Sequence, residues 1–145
     1  MEKGFRQMSS PNEMETYQQP SNKMSLRAWI RKFSCAAKGI YLGSKNESSF
    51  WVHYPAAVAV ILLGFGLGCR DWEWCLLLLC IALVIAAELM NSALERLAHA
   101  FTTEYHPEIA KTLDIASGAV LVISVGSGCV GLIILLPKLL ALLKF

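Results

Sequence analysis

At 145 residues the chain is of single-domain size, and 55% hydrophobic against 17% charged residues is more apolar surface than a water-soluble fold of this length can hide. That balance points to lipid as the solvent and argues against a soluble globular domain. The net charge of +2, with basic residues scattered rather than gathered beside aromatics, leaves no footprint for nucleic acid.

Residues 1–22 are rich in Ser, Pro, Gln, Asn and Glu and are expected to form a disordered cytoplasmic tail, with residues 23–145 as the membrane domain. The opening residues carry no basic stretch leading into an apolar run, so no cleavable signal peptide is expected. A helix expected over about 26–47 sets Trp29, Ile30, Phe33, Ala36, Ala37 and Ile40 against Arg27, Arg31, Lys32 and Lys38, a pattern suited to lying on an anionic leaflet.

The first apolar run, about 50–69, carries Pro55 where a first helical turn tolerates a missing N–H. Arg70-Asp71-Trp72-Glu73-Trp74 makes a charged turn with two tryptophans suited to the interface. A second run, about 73–97, is interrupted by Glu88. The stretch from Leu97 to Thr112 is polar and leaves the hydrocarbon, and a third run, about 113–136, ends at Pro137 and Lys138. Cys35, Cys69, Cys75, Cys80 and Cys129 form no CxxC pair and read as small core residues. The expected fold is therefore an all-α integral membrane protein with one amphipathic surface helix and three transmembrane helices. Eight basic residues precede the first run, which predicts a cytoplasmic N-terminus.

A spanning helix has reason to avoid Glu88, because an ionised carboxylate at its centre costs roughly 2.5 to 3.5 kcal/mol on insertion scales. At about 100° per residue, Asn91 falls about 60° and Glu95 about 20° to the same side of Glu88, so all three share a stripe, with Ser92 beside it. Asn or Ser alone would suit a hydrogen-bonded helix seam. Two carboxylates about two turns apart on one face of an apolar helix repel unless a proton or a cation lies between them. Mg²⁺ would resolve that conflict, since it takes one or two carboxylates together with water and phosphate oxygens. A desolvated carboxylate is also a stronger base than a hydrated one, which suits Glu88 to accept a proton from a lipid hydroxyl.

Other polar positions admit two readings each. Asp114 opens the third run with Ser117 on the same face, and either caps the helix or serves a site. Glu47 is equally a solvated interfacial residue or a ligand, and Tyr105-His106-Pro107 is either a loop turn or part of a site. No Walker segment or Gly-rich kinase loop is present, nor GxSxG or HExxH.

The stretch Ala87-Glu88-Leu89-Met90-Asn91-Ser92-Ala93-Leu94-Glu95, followed by Glu104-Tyr105-His106-Pro107, Asp114 and Ser117-Gly118-Ala119-Val120-Leu121, resembles the prokaryotic diacylglycerol kinase and undecaprenol kinase family. Phe33, Ala37, Lys38-Gly39-Ile40, Glu47 and Phe50 to His53 fit the same family, and the likeness runs from about Arg31 to Leu136. It implies a homotrimer in a bacterial inner (plasma) membrane, with active sites between subunits at the cytoplasmic interface and with a lipid alcohol and MgATP as substrates. Carried over by position, Glu88 is implied as proton acceptor and Glu47 and Glu95 as metal-binding carboxylates. Glu104, Tyr105, His106, Lys111 and Asp114 are implied on the nucleotide side, and Lys38, Phe50, Asn91 and Ser117 on the substrate side. Two positions depart from the family: Leu113 stands where a Lys is common, and His99 where an Asp is usual. These keep a rival reading open, a catalytically impaired member acting as a lipid-binding or scaffold protein. A further rival is a transporter component whose Glu88 and Glu95 line an ion path. The Phe50 to His53 segment leans toward the undecaprenol branch.

Overall fold

The computed structural model describes residues 25–45, 47, 49–102 and 104–143; the expected tail over 1–22 lies outside the described residues. The described chain is helical: α1 spans Leu26–Ser44, α2 Phe50–Gly66, α3 Asp71–Phe101 and α4 Pro107–Leu143.

Two units are described separately, divided between Cys35 and Ala36. In the first, the opening turns of α1 stack Trp29 on Phe33 with 5.9 Å between ring centroids, and the Lys32 ammonium lies 5.6 Å from the Trp29 ring centre. No residue of α1 is buried. The helix ends at Ser44, short of the expected 47, with Lys45 N–H still closing on the Tyr41 carbonyl at 3.1 Å.

The second unit contains the three apolar helices. By length and composition α3 and α4 can each cross a bilayer, whereas α2 is apolar but has only 17 residues. Backbone hydrogen bonding carries each long helix past its apolar run: α3 covers Asp71–Phe101 against the expected 73–97, and α4 covers Pro107–Leu143 against 113–136. At 1.5 Å per residue these helices are roughly 46 and 55 Å long, more than the about 30 Å of a hydrocarbon core. Pro107 opens α4 at a position where the missing N–H costs nothing. Pro137 does not end that helix, which continues to Leu143. Pro55 also lies inside its helix, in the second turn rather than the first, because α2 already starts at Phe50.

The turn between α2 and α3 is closed by backbone geometry. Gly68 adopts φ +62°, its N–H reaches the Phe65 carbonyl at 3.3 Å, and the Cys69 N–H reaches Gly64 at 3.0 Å. This is the paired pattern that lets a helix stop on a left-handed residue. The Arg70 N–H then donates to Glu73 Oε2 at 2.6 Å, starting α3, and Lys138 Nζ of α4 meets the same oxygen at 3.0 Å. Above this tie, Leu77, Ile134 and Leu135 form a small core with Val60, Leu67, Cys69 and Val130 against it. α3 and α4 make the most extensive helix pair.

Burial is inverted relative to a soluble bundle. Among the described residues Glu73, Glu88, Asn91 and Ser92 are buried, while Trp51, Phe65, Val122 and Ile133 are all exposed. Apolar surface of that extent faces lipid or other apolar partners. Cys35, Cys75 and Cys129 are exposed as well, which corrects their reading as core residues: lipid is as apolar as a core, so a thiol on the outer face carries no penalty.

Gly64 is buried against Trp74, whose Cη2 would stand 2.8 Å from an added Cβ. Gly64→Val should therefore destabilise the α2–α3 pair by about 1–3 kcal/mol, seen as a lower thermal midpoint in detergent. An unchanged midpoint would mean that the indole swings aside freely.

Candidate active site

Beyond Val84, α3 presents its polar stripe to the interior. Glu88 is 4% exposed and Asn91 9%, with Glu95 half-buried one turn further on. The three side chains line one cavity of about 310 Å³, as the helical spacing predicts. Ser49 and His53 complete it from the start of α2, and Ser117, Val120, Leu121 and Ser124 from α4.

Each acid has its own donor. His53 Nε2 lies 2.9 Å from Glu88 Oε1, with the two side chains 20% and 5% exposed. An Nε2 lone pair facing a carboxylate lone pair would repel, so Nε2 carries the hydrogen in this contact. Asn91 Nδ2 donates to Glu95 Oε1 at 2.7 Å, and Ser117 Oγ reaches Asn91 Oδ1 at 3.5 Å, the limit of a hydrogen bond. Neutral and basic partners thus separate the two carboxylates that the sequence places on one face.

Glu47 is brought to α3 by a different device. Arg96 donates to the carbonyls of Leu42 at 2.7 Å and Lys45 at 3.1 Å, satisfying the open end of α1, and stands 3.8 Å from Glu47 Oε1. With half the guanidinium side chain in solvent, the ion pair itself is worth about 0–1 kcal/mol; the hydrogen bonds to backbone do the positioning. Ser44 Oγ and Tyr54 Oη, 2.6 Å apart, add a second link between α1 and α2.

The remaining candidates fall elsewhere. Phe50 is buried with its ring 5.0 Å from Tyr54, and Lys38 is exposed on α1. Glu104, Tyr105 and His106 are exposed between α3 and α4, and Asp114 is exposed on α4. Lys111 pairs with Glu108 at 2.7 Å on the surface, a contact of at most about 1 kcal/mol that a phosphate could displace. None of these lines the 310 Å³ cavity. Among the described residues no three His, Cys, Asp or Glu side chains gather to cage a metal ion by themselves.

His53, Arg96 and Ser124 are absent from the candidates read off the sequence. His53 offers a signal in the sequence, an ionisable residue at the mouth of an apolar run, whereas nothing in the local sequence singles out Arg96 or Ser124. Ser124 Oγ is buried without a hydrogen-bond partner among the described residues.

An acid-lined cavity inside a helical bundle whose outer face is apolar is the pattern of a membrane protein rather than of a soluble bundle. The chain belongs to the prokaryotic diacylglycerol kinase family, which it matches over residues 34–135. It is similar to the undecaprenol kinase of Bacillus subtilis, 35% identical over 118 residues, covering 81% of this chain and 96% of that protein. A diacylglycerol kinase of Synechocystis is 32% identical over 133 residues, covering 86% of this chain and 76% of that one. A diacylglycerol kinase of Helicobacter pylori is 28% identical over 109 residues, covering 75% and 85%.

Proposed function

We propose that this protein transfers the γ-phosphoryl group of ATP to the hydroxyl of a lipid alcohol, undecaprenol or diacylglycerol, at the cytoplasmic face of a bacterial plasma membrane. The observation that carries this reading is Glu88, a buried carboxylate with one oxygen held by His53, beside a polar cavity among apolar helices. The family match and the kinase names of its relatives support it.

Three spans suit the lengths: α2, with 17 residues and roughly 26 Å, stands at the short end of the about 17–25 residues that cross a hydrocarbon core. The amphipathic α1 then lies on the cytoplasmic leaflet beside a cytoplasmic N-terminus, with residues 1–22 as a tail. The nucleotide-side candidates Glu104, Tyr105, His106, Lys111 and Asp114 lie exposed and outside the cavity, which suits a homotrimer in which a neighbouring subunit completes the site.

In the reaction Glu88 takes the hydroxyl proton as the lipid oxygen attacks the γ-phosphorus, and ADP leaves. Asn91 and Ser117 line the space for the lipid oxygen and phosphate, while Lys38 and Phe50 lie on the substrate side. Glu47 and Glu95 are oxygen donors of the kind Mg²⁺ prefers, and two carboxylates suffice because that ion draws its other ligands from phosphate and water. When bound, it would offset charge on the phosphoryl oxygens. Most of the rate enhancement is then positioning and electrostatics.

In mixed micelles with labelled ATP, Mg²⁺ and each lipid alcohol, Glu88→Gln should lower phosphorylation by about 10²–10⁴-fold, the usual weight of a positioned base, with little change in nucleotide KM. Equal transfer by both proteins would remove Glu88 from the chemistry. Leu113 is half-buried near the start of α4, where a Lys is common in the family. Leu113→Lys is expected to lower the nucleotide KM through an added phosphate contact; an unchanged KM would show that another cation already fills that role.

A further inference from the structure

We propose that His53 is a positioning residue for phosphoryl transfer, holding one oxygen of Glu88 so that the other faces the lipid hydroxyl; this rests on the function proposed for Glu88.

Glu88 ends a side chain with three rotatable bonds in a cavity wide enough for it to turn. Of the other polar side chains lining the cavity, Asn91 is committed to Glu95 and Ser117 to Asn91. Among the described residues, His53 is the side chain within bonding distance of the Glu88 carboxylate, at 2.9 Å from Oε1. Oε2 is left as the acceptor for an incoming hydroxyl. The donor comes from α2, so the contact also fixes the reactive turn of α3 against a second helix.

The imidazole stands at a boundary. It lines the 310 Å³ polar cavity, and it also lines an apolar cavity of about 460 Å³ that continues past Ala57, Val60, Ile81 and Val84 to Leu135. Ser124 is the other residue common to both linings. A molecule with a hydroxyl head and an apolar tail meets this boundary at the junction of head and tail. There the ring covers the acid on one side and offers hydrocarbon contact on the other. Since a misplacement of about 1 Å at a reacting group can cost on the order of 100-fold, loss of this contact should affect the chemical step rather than nucleotide binding.

The test uses the full chain in mixed micelles with ATP, Mg²⁺ and undecaprenol, comparing wild type, His53→Leu, His53→Gln, Glu88→Gln and the double variant His53→Leu with Glu88→Gln. Thermal midpoints report folding. His53→Leu should lower kcat by about 10–100-fold while nucleotide KM stays within about twofold. His53→Gln, whose amide N–H₂ reaches the position of Nε2 without an imidazole, should restore kcat to within about fivefold of wild type. The double variant should be no slower than Glu88→Gln alone, because the two residues act as one unit. Should a folded His53→Leu keep wild-type kcat while Glu88→Gln is inactive, the positioning role is overturned and the base role stands. A folded His53→Gln as slow as Glu88→Gln overturns it too, and decides the matter if His53→Leu does not fold. Wild-type activity in Glu88→Gln would instead overturn the function on which the proposal rests.

Discussion

A carboxylate withdrawn from water inside a spanning helix must find a donor within the protein, because acyl chains offer none. Glu88 imposes that requirement on everything packed around it. α2 answers with His53 at 2.9 Å, and α4 supplies Ser117 and Ser124 to the same cavity. Packing in this half of the bundle is therefore organised by polar satisfaction. Apolar side chains are free to face outward because lipid receives them as well as a core would.

The opposite half is organised by a second tie. Glu73 accepts from the Arg70 N–H and from Lys138, which joins the start of α3 to the last turns of α4 beside the cluster of Leu77, Ile134 and Leu135. Glu73 and Glu88 lie 15 residues apart on one helix, roughly 22 Å, so the two ties hold well-separated parts of α3. The larger apolar cavity lies along the bundle between His53 and Leu139. A rigid α3 anchored at both places gives the acids fixed positions without a dense core, an arrangement suited to a site that must admit a lipid.

The polar stripe was legible in the sequence because helical spacing alone puts Glu88, Asn91 and Glu95 on one side, and they line one cavity. The centres of the apolar helices were legible for a similar reason, since hydropathy reports burial in lipid. Helix ends were not. Hydrogen bonding continues α3 to Phe101 past the polar Glu95, Arg96 and His99, and α4 to Leu143 through Pro137 and Lys138, the pair that reads as the end of the apolar run. The partners of the acids were hidden for another reason: His53 and Glu88, or Arg96 and the carbonyls of Leu42 and Lys45, meet only when separate helices pack. No periodicity within one segment encodes which residue of a neighbouring helix arrives opposite.

The family places the chain among lipid-directed kinases, and on the function proposed above the acid at that depth is where a membrane-bound hydroxyl and a phosphate would meet. The most direct measurement is an experimental structure in lipid nanodiscs with undecaprenol and a non-hydrolysable ATP analogue bound together with Mg²⁺. The lipid oxygen is expected within hydrogen-bond reach of the free Glu88 oxygen, about 2.6–3.2 Å, with His53 still holding the other. A lipid hydroxyl seated away from Glu88, with that carboxylate enclosed by protein on every side, would contradict it.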